Sequence, residues 1–263
     1  MYQFFSKPDW YFARCGDLRC SVTEHRISQV PDFLRGLRAL FMADFHALPA
    51  TTDADMDALV ARAAALGPDI VLLGGDYSDA PEPAARLFEH LARLIAPLGK
   101  YAVPGNNDRE AFPDLSRLRD IAAGAGCALL VNQAVTVPLN GGQLIVAGLD
   151  DYRHGRPDAA GLYPGTPAPD RYRLLLSHYP RAVEPLPDLM LSGHTHGGQF
   201  NLLGVTPYTI GFERLLARER ASRCVAGLHE YRGSRLLVSK GIGASRISLR
   251  IGVKPEINLI RFD

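Results

Sequence analysis

Long apolar runs and clustered cysteines are both missing from this 263-residue sequence. No run approaches the roughly 18–20 residues that a membrane-spanning helix needs. The four cysteines (Cys15, Cys20, Cys127 and Cys224) include no Cys-x-x-Cys pair, which argues against a zinc ribbon or a redox motif. No signal-type apolar stretch precedes Cys15, so we expect reduced thiols. The sequence therefore predicts a soluble, cytoplasmic protein and leaves peripheral contact with the inner face of a membrane open.

The sequence also lacks an excess of charge of either sign. Its 29 lysines and arginines nearly balance its 28 acidic residues, giving a formal net charge of +1. Because non-specific binding to nucleic acid depends on many basic contacts, this balance does not favour nucleic acid as a partner. The content of 47% hydrophobic and 22% charged residues is typical of a globular protein that buries a substantial core.

Short apolar runs alternate with helical patterns from about residue 37 onward. Residues 37–43, 69–73 and 101–103 have the composition of buried strands. Between the first two, Thr52 has the character of an N-cap for a helix over residues 54–66. Strand–helix–strand alternation of this kind predicts parallel strand pairing with right-handed crossovers.

The second half of the chain is richer in strands. We expect them at residues 129–139, 144–149, 171–177, 189–192, 236–239 and 256–261. Asn140-Gly141-Gly142 predicts a hairpin between the first two. No internal repeat or linker is present. We therefore expect one domain over residues 36–263, with residues 1–35 forming an arm or strand packed against it.

Side chains of the types that bind metal ions (Asp, His and Asn) follow an apolar run at five places in the sequence. The five segments are Asp44-Phe45-His46, Gly75-Asp76-Tyr77-Ser78-Asp79, Gly105-Asn106-Asn107-Asp108, Ser177-His178 and Gly193-His194-Thr195-His196-Gly197-Gly198-Gln199. Taken singly, each has an ordinary structural explanation, such as a turn or a helix cap. Together they predict one site, because the carboxyl ends of strands converge in α/β sheets. Imidazoles mixed with carboxylates, without thiolates, suit Mn, Fe or Zn better than Ca.

This ordered set of motifs resembles that of the calcineurin-like metallophosphoesterases, from about residue 37 to the C-terminus. Three segments, of which the first is the last of these five motifs, narrow the resemblance to the bacterial branch that includes cell-wall-associated phosphodiesterases and UDP-2,3-diacylglucosamine pyrophosphatases. These segments are Gly-His-Thr-His-Gly-Gly-Gln, Ala147-Gly148-Leu149-Asp150-Asp151, and the tail Ser239-Lys240-Gly241-Ile242-Gly243 with Arg250 and Pro255-Glu256-Ile257. The resemblance implies a four-layer αββα sandwich, in which two mixed β-sheets are flanked by helices.

The resemblance also implies a dinuclear centre of two divalent ions, Mn²⁺, Fe²⁺/Fe³⁺ or Zn²⁺. Asp44, His46 and His196 would hold one ion; Asn106, His178 and His194 would hold the other; Asp76 would bridge them. A hydroxide activated by the metals would then cleave a phosphodiester or pyrophosphate bond. The expected substrate is a phosphorylated small molecule or a nucleotide-linked lipid.

The sequence departs from the family pattern at Asn107, where the third motif commonly has a histidine that assists as an acid or contacts phosphate. An amide cannot donate a titratable proton, so we expect a leaving group that departs without full protonation. Arg109 is a candidate for neutralising a substrate phosphate, with a solvated loop arginine as the alternative. His154 is a candidate for the substrate cleft. Asp79 and Asp108 are expected to orient histidines.

Three alternatives stay open. Residues 212–223 form a basic amphipathic pattern that predicts either a helix lying on an anionic membrane or a plain surface helix. A nuclease would cleave the same kind of bond. A non-catalytic scaffold on the same fold would have lost metal ligands, whereas every ligand position is filled here.

Overall fold

A computed structural model of the chain describes residues 18–163, 168–202, 205–206, 224–245 and 249–263. The basic helix predicted at residues 212–223 lies outside these ranges, as do the first 17 residues of the predicted arm. The strands, numbered along the chain, are β1 (Ser21–Ile27), β2 (Arg38–Met42), β3 (Ile70–Leu73), β4 (Lys100–Ala102), β5 (Cys127–Leu129), β6 (Gln133–Leu139), β7 (Gly142–Gly148), β8 (Arg171–Leu176), β9 (Leu189–Ser192), β10 (Gly227–Tyr231), β11 (Ser234–Val238) and β12 (Glu256–Phe262). The helices are α1 (Asp53–Ala65), α2 (Pro81–Leu91), α3 (Asn106–Ala111) and α4 (Ser116–Gly124).

The strands form two mixed sheets of six strands each. The first sheet has the order β1-β12-β2-β3-β4-β5, and β2 to β5 run parallel, as their alternation with helices predicts. The second sheet has the order β10-β11-β9-β8-β7-β6, with β7, β8, β9 and β11 parallel and antiparallel strands at both edges. The parallel strands of each sheet deliver their loops to one edge, which is where the polar motifs lie.

Alternate residues of β2 divide the core into layers. Leu40 and Met42 face the helices and pack with Leu59 of α1 and Phe88 of α2. Ala39 and Phe41 face the other way, into a core shared with residues of β7, β8 and β9. Because successive strand side chains point to opposite faces, the first sheet lies between a helical layer and the second sheet. The predicted fold class of two mixed sheets flanked by helices is confirmed.

Within the described ranges, loops and not helices cover the outer face of the second sheet. Leu149, Leu162 and Val183, all in loops, pack there against Leu175 and Met190. The described α-helices that pack on a sheet lie on the first one. None of the described helices has the length and apolar character needed to cross a membrane.

The strand predicted at residues 129–139 is two strands in two different sheets. β5 ends at Leu129 and β6 begins at Gln133, so the chain crosses from the first sheet to the second between them. Asn132 makes the crossing with a φ of 52°, and its side-chain oxygen accepts the backbone N–H of Asp150 at 3.0 Å. Leu130 and Val131 extend the apolar composition beyond β5, and only Asn132-Gln133 interrupts it, which is why the pattern alone did not reveal the break.

Helices α3 and α4 and strand β10 were not predicted, whereas the hairpin was. β6 and β7 pair antiparallel around Asn140 and Gly141, whose φ values of 47° and 82° are those of a tight hairpin turn. At the other end of the chain, β1 pairs in parallel with β12 along its full length. Residues 21–27 are therefore an edge strand of the first sheet.

Helix α1 begins with a capping box, as the position of Thr52 predicts. The backbone N–H of Asp55 donates to Thr52 Oγ1, and the backbone N–H of Thr52 donates to Asp55 Oδ2, both at 3.2 Å. We expect Thr52→Ala to lower the free energy of unfolding by about 0.5–2 kcal/mol in denaturant titrations. Thr52→Ser keeps the hydroxyl and serves as the control. Equal losses in both variants would show that the cap does not stabilise α1.

Candidate metal centre

The seven side chains predicted to bind metal come together where the two sheets meet. Those at positions 44, 46, 76 and 106 follow β2, β3 and β4 of the first sheet, and those at 178, 194 and 196 follow β8 and β9 of the second. Six of the seven are buried, and His194 is half-buried. Residues as far apart as His46 and His196 approach to 3.1 Å between their Nε2 atoms.

The backbone is strained at most of these positions. Five of the seven have φ in the left-handed region: Asp44 (55°), His46 (43°), Asp76 (56°), His194 (71°) and His196 (51°). Non-glycine residues rarely adopt this region, and each instance costs of the order of 1 kcal/mol or more. The fold therefore holds these side chains at an energetic cost, which is common at functional sites.

Two glycines leave the space that the carboxylates occupy. A Cβ atom at Gly105 would lie 2.1 Å from Asp76 Oδ1, and one at Gly193 would lie 2.6 Å from Asp44 Oδ2. Both distances are well inside van der Waals contact. Glycine is required at these positions because the backbone of the neighbouring loop passes directly over each carboxylate.

Asp44, His46 and His196 form the first potential metal-binding group, with donor atoms within 4.8 Å of one another. His196 Nε2 lies 3.6 Å from Asp44 Oδ1. His46 Nδ1 lies 3.3 Å from Asp79 Oδ1, which leaves its Nε2 facing the centre. Asp79 therefore orients His46, as its place in the motif predicts.

Asp44, Asp76 and His178 form the second group. His178 donates from Nδ1 to the backbone oxygen of Gly74 at 2.8 Å. Its Nε2 is buried without a hydrogen-bond partner among the described residues and lies 3.3 Å from Asp76 Oδ2. A buried imidazole nitrogen left in this way is a fitting donor to a metal ion.

Asn106 and His194 lie beside this second group. His194 Nδ1 is 3.1 Å from Asn106 Oδ1, and the backbone N–H of His194 donates to both oxygens of Asp44 at 3.0 and 3.1 Å. Asp76 Oδ2 lies between the two groups, 3.6 Å from His46 Nε2 and 3.3 Å from His178 Nε2. The carboxylate common to the two groups is Asp44, whereas the resemblance implies Asp76 as the bridge.

The charges of the centre perturb one another strongly. Burial by itself raises the pKa of Asp76 and lowers that of His178, but their mutual attraction outweighs burial. The pKa of Asp76 is therefore held below its usual range, and that of His178 rises to about 10. Burial and the charge of His178 lower the pKa of His194 to about 3, whereas His178 has to lose the proton that Asp76 stabilises before its Nε2 can bind a metal ion.

Among the described residues Asp108 forms no hydrogen bond or ion pair with a histidine, so its predicted role in orienting one is not what these contacts show. Its carboxylate accepts three backbone N–H groups, from Asp76 (2.7 Å), Tyr77 (2.9 Å) and Gly105 (2.8 Å). It therefore joins the loop after β3 to the loop after β4. Asn107 donates from Nδ2 to Asp79 Oδ1 at 2.6 Å and from its backbone N–H to Asp76 Oδ1 at 2.9 Å, so it does line the centre.

Arg109 and His154 are both engaged by acidic residues. Arg109 donates from Nε to Asp150 Oδ1 at 2.8 Å and from Nη2 to the second oxygen, forming a two-pronged ion pair that is mostly buried. His154 Nε2 lies 2.8 Å from Glu110 Oε1. The alternative of a solvated loop arginine is therefore wrong for Arg109, and its guanidinium is occupied by a carboxylate.

Two residues that contact the ligands were not assigned a role from the sequence. Tyr179 stacks on His194 with ring centroids 3.7 Å apart, and its position directly after His178 is the only signal for it. Arg250 is fully buried; it donates to the backbone oxygens of Gly243 and Lys240, and its Nη2 lies 3.0 Å from His196 Nδ1. The sequence indicates Arg250 only as part of the C-terminal segment that resembles the bacterial branch.

Arg250 holds the loop of His196 against the C-terminal segment, so its loss leaves buried carbonyl groups without donors. We expect Arg250→Met to lower the free energy of unfolding by about 2–4 kcal/mol, measured by urea titration. The control, Arg62→Ala, removes an exposed arginine from the last turn of α1 and should change stability by less than about 0.5 kcal/mol. Similar values for the two variants would contradict this role.

Comparisons with known proteins agree with this geometry. The profile of the family described as calcineurin-like phosphoesterase matches residues 37–198. An uncharacterised metallophosphoesterase of Bacillus subtilis, YkoQ, is 31% identical over 197 residues, which cover 72% of this chain and 70% of that protein. The phosphodiesterase YaeI of Escherichia coli is 28% identical over 276 residues, covering 98% of this chain and 91% of that protein. The chain belongs to the calcineurin-like phosphoesterase family and is a hydrolase of phosphoester bonds.

Proposed function

We propose that the protein hydrolyses a phosphodiester or pyrophosphate bond with the help of two divalent metal ions. The observation that carries this proposal is the pair of adjacent donor groups, Asp44-His46-His196 and Asp44-Asp76-His178, buried at the meeting point of the two sheets. Their oxygen and nitrogen donors suit Mn²⁺, Fe²⁺/Fe³⁺ or Zn²⁺. Asn106 and His194 would complete the second group, and Asp76 would be shared by the two ions. The position of Asp76 Oδ2 between His46 and His178 supports this bridge.

When bound, such a pair of ions supplies a hydroxide nucleophile near neutral pH and neutralises the phosphoryl oxygens. The chain's own residues prepare the centre for this. Gly74 and Asp79 fix the ring orientations of His178 and His46, and the backbone N–H of His194 orients Asp44. Asp108 holds the two loops that carry Asp76 and Asn106. This rigidity keeps the donors at fixed distances while the phosphoryl group passes through its transition state.

Asn107 limits which leaving groups the protein can expel. Its amide is held by Asp79 at 2.6 Å beside His46 and can donate a hydrogen bond without supplying a proton. We therefore expect a preference for leaving groups that depart as anions, such as a phosphate, a nucleotide or a phenolate. Phosphorylated small molecules and nucleotide-linked lipids are substrates of this kind.

Replacing the bridging carboxylate tests the proposal as a whole. We expect wild-type protein to bind two ions per chain and to hydrolyse bis-p-nitrophenyl phosphate with Mn²⁺, with activity lost on chelation and restored by metal. Asp76→Asn should bind at least one ion fewer, because it removes a charge shared by both groups, and kcat/KM should fall at least about 100-fold. Metal analysis and steady-state kinetics measure the two effects.

The matched control is Asp120→Asn, which makes the same change on the exposed surface of α4 and should keep both metal content and activity. A wild-type protein that turns over the diester equally well after chelation would rule out metal-dependent hydrolysis.

The leaving-group preference has its own test in Asn107→His. A histidine beside Asp79 can donate a proton to an alkoxide, so we expect the variant to improve hydrolysis of an alkyl phosphodiester relative to an aryl one. The expected gain in the ratio of the two kcat/KM values is about 10²-fold, the lower end of what general acids contribute. Asn107→Gln keeps an amide and is the control. A ratio that stays at the wild-type value in Asn107→His contradicts the leaving-group argument.

A further inference from the structure

The loop that follows β7 lies at the same edge as the metal centre. β7 pairs in parallel with β8, and the pairing continues past its end, where the backbone N–H of Leu149 donates to Leu176 at 3.0 Å. Asp151 then fixes the turn, because its Oδ1 accepts the backbone N–H groups of Arg153 at 2.9 Å and His154 at 2.7 Å. Since His178 follows β8 and His194 follows β9, the loop after β7 extends the same row of loops.

Aromatic contacts connect this loop, through Tyr179, to the predicted metal ligand His194. Tyr152 packs edge-on against Tyr179 with ring centroids 6.1 Å apart, and Tyr179 stacks on His194 at 3.7 Å. The guanidinium of Arg181 lies over the Tyr152 ring, 5.0 Å from its centroid. The His194 side of the centre is therefore lined by two tyrosine rings, with an arginine on the outside.

Arg153 is an exposed cation of this loop and directly follows Tyr152, whose ring leads through Tyr179 to His194. Its side chain forms no ion pair or hydrogen bond within the part of the chain that the structure describes. Arg109 contrasts with it, because its guanidinium is bound by both oxygens of Asp150. An exposed guanidinium without a partner is free to bind an anion through two parallel hydrogen bonds.

The His46 side of the centre, opposite the His194 side, carries a negative charge. The carboxylate of Asp79 lies 3.3 Å from His46 Nδ1, and its side chain is 55% exposed. The rim is thus negative next to His46 and positive next to His194. A substrate with an anionic group beyond the one at the metals would be repelled from the first side and attracted to the second.

We propose that Arg153 binds a second anionic group of the substrate, a further phosphate next to the one that is cleaved, on the His194 side of the metal centre. This inference rests on the proposed function for the place of the first phosphate. Arg153 thereby selects substrates in which two phosphates are close together and sets the direction in which they lie across the centre. The rings of Tyr152 and Tyr179 form the flank along which the remainder of the molecule lies.

Binding of ADP and AMP tests this selection without requiring turnover. ADP is supplied as its α,β-methylene analogue, in which carbon replaces the bridging oxygen so that the bond is not hydrolysed. The two ligands differ in one phosphate, and isothermal calorimetry with Mn²⁺ in excess on both sides measures their dissociation constants. We expect wild-type protein to prefer ADP. Arg153→Ala should weaken ADP binding roughly tenfold, the equivalent of one charge-assisted contact, and should change AMP binding much less. Arg153→Lys should recover part of the loss, because an ammonium supplies the charge without the fork.

The control is Arg62→Ala, which removes the same charge from the far end of α1 and should keep the wild-type preference. An unchanged ratio of ADP to AMP affinity in Arg153→Ala, or the absence of any ADP preference in wild type, overturns the role of Arg153.

Hydrolysis of bis-p-nitrophenyl phosphate by the wild type, measured in parallel, separates the two proposals. Activity with an unchanged ADP to AMP ratio leaves the proposed function standing and removes Arg153 from it. If the wild type shows no activity but its preference for ADP depends on Arg153, the proposed function is wrong and the role of Arg153 in anion binding stands.

Discussion

Two carboxylates buried where the sheets meet set the constraint on which the rest of the structure depends. Asp44 and Asp76 are 0% and 3% exposed, and within the described ranges no lysine or arginine pairs with either of them. Removing a charge from water costs several kcal/mol unless another charge or a set of hydrogen bonds compensates it. Here the compensation comes from imidazoles and backbone N–H groups. In the proposed function divalent cations would complete it, because they are the charges for which such a donor set is suited.

The surrounding structure holds this arrangement against its own strain. Left-handed backbone at five donor positions is unfavourable locally, so other contacts must fix each loop. Asp108 does this in the first sheet by accepting three backbone N–H groups, and Arg250 does it in the second by donating to the backbone near His196. Neither residue needs to touch a metal ion. Both are required because a donor displaced by an ångström no longer serves the centre.

The centre also has two unlike sides. On the His46 side, Asp79 and Asn107 form a polar rim, and the amide of Asn107 cannot supply a titratable proton. On the His194 side, tyrosine rings and exposed arginines form a rim that attracts anions. The family chemistry explains the metal donors, which are general to phosphoester hydrolysis. In the proposed function, substrate choice is expected to depend on the difference between the two sides.

The sequence by itself determined the local features. Apolar runs identified most strands, Thr52 located the start of α1, and polar residues after strands located the seven candidate donors, because each of these signals depends only on neighbours along the chain. Contacts between segments that are distant along the chain leave no such local signal in the sequence. The crossing at Asn132 from one sheet to the other, the capture of Arg109 by Asp150 and the structural role of Asp108 were decided by the tertiary structure alone. Charged side chains take their partners from whatever the fold brings within reach, and only three-dimensional packing determines which those are.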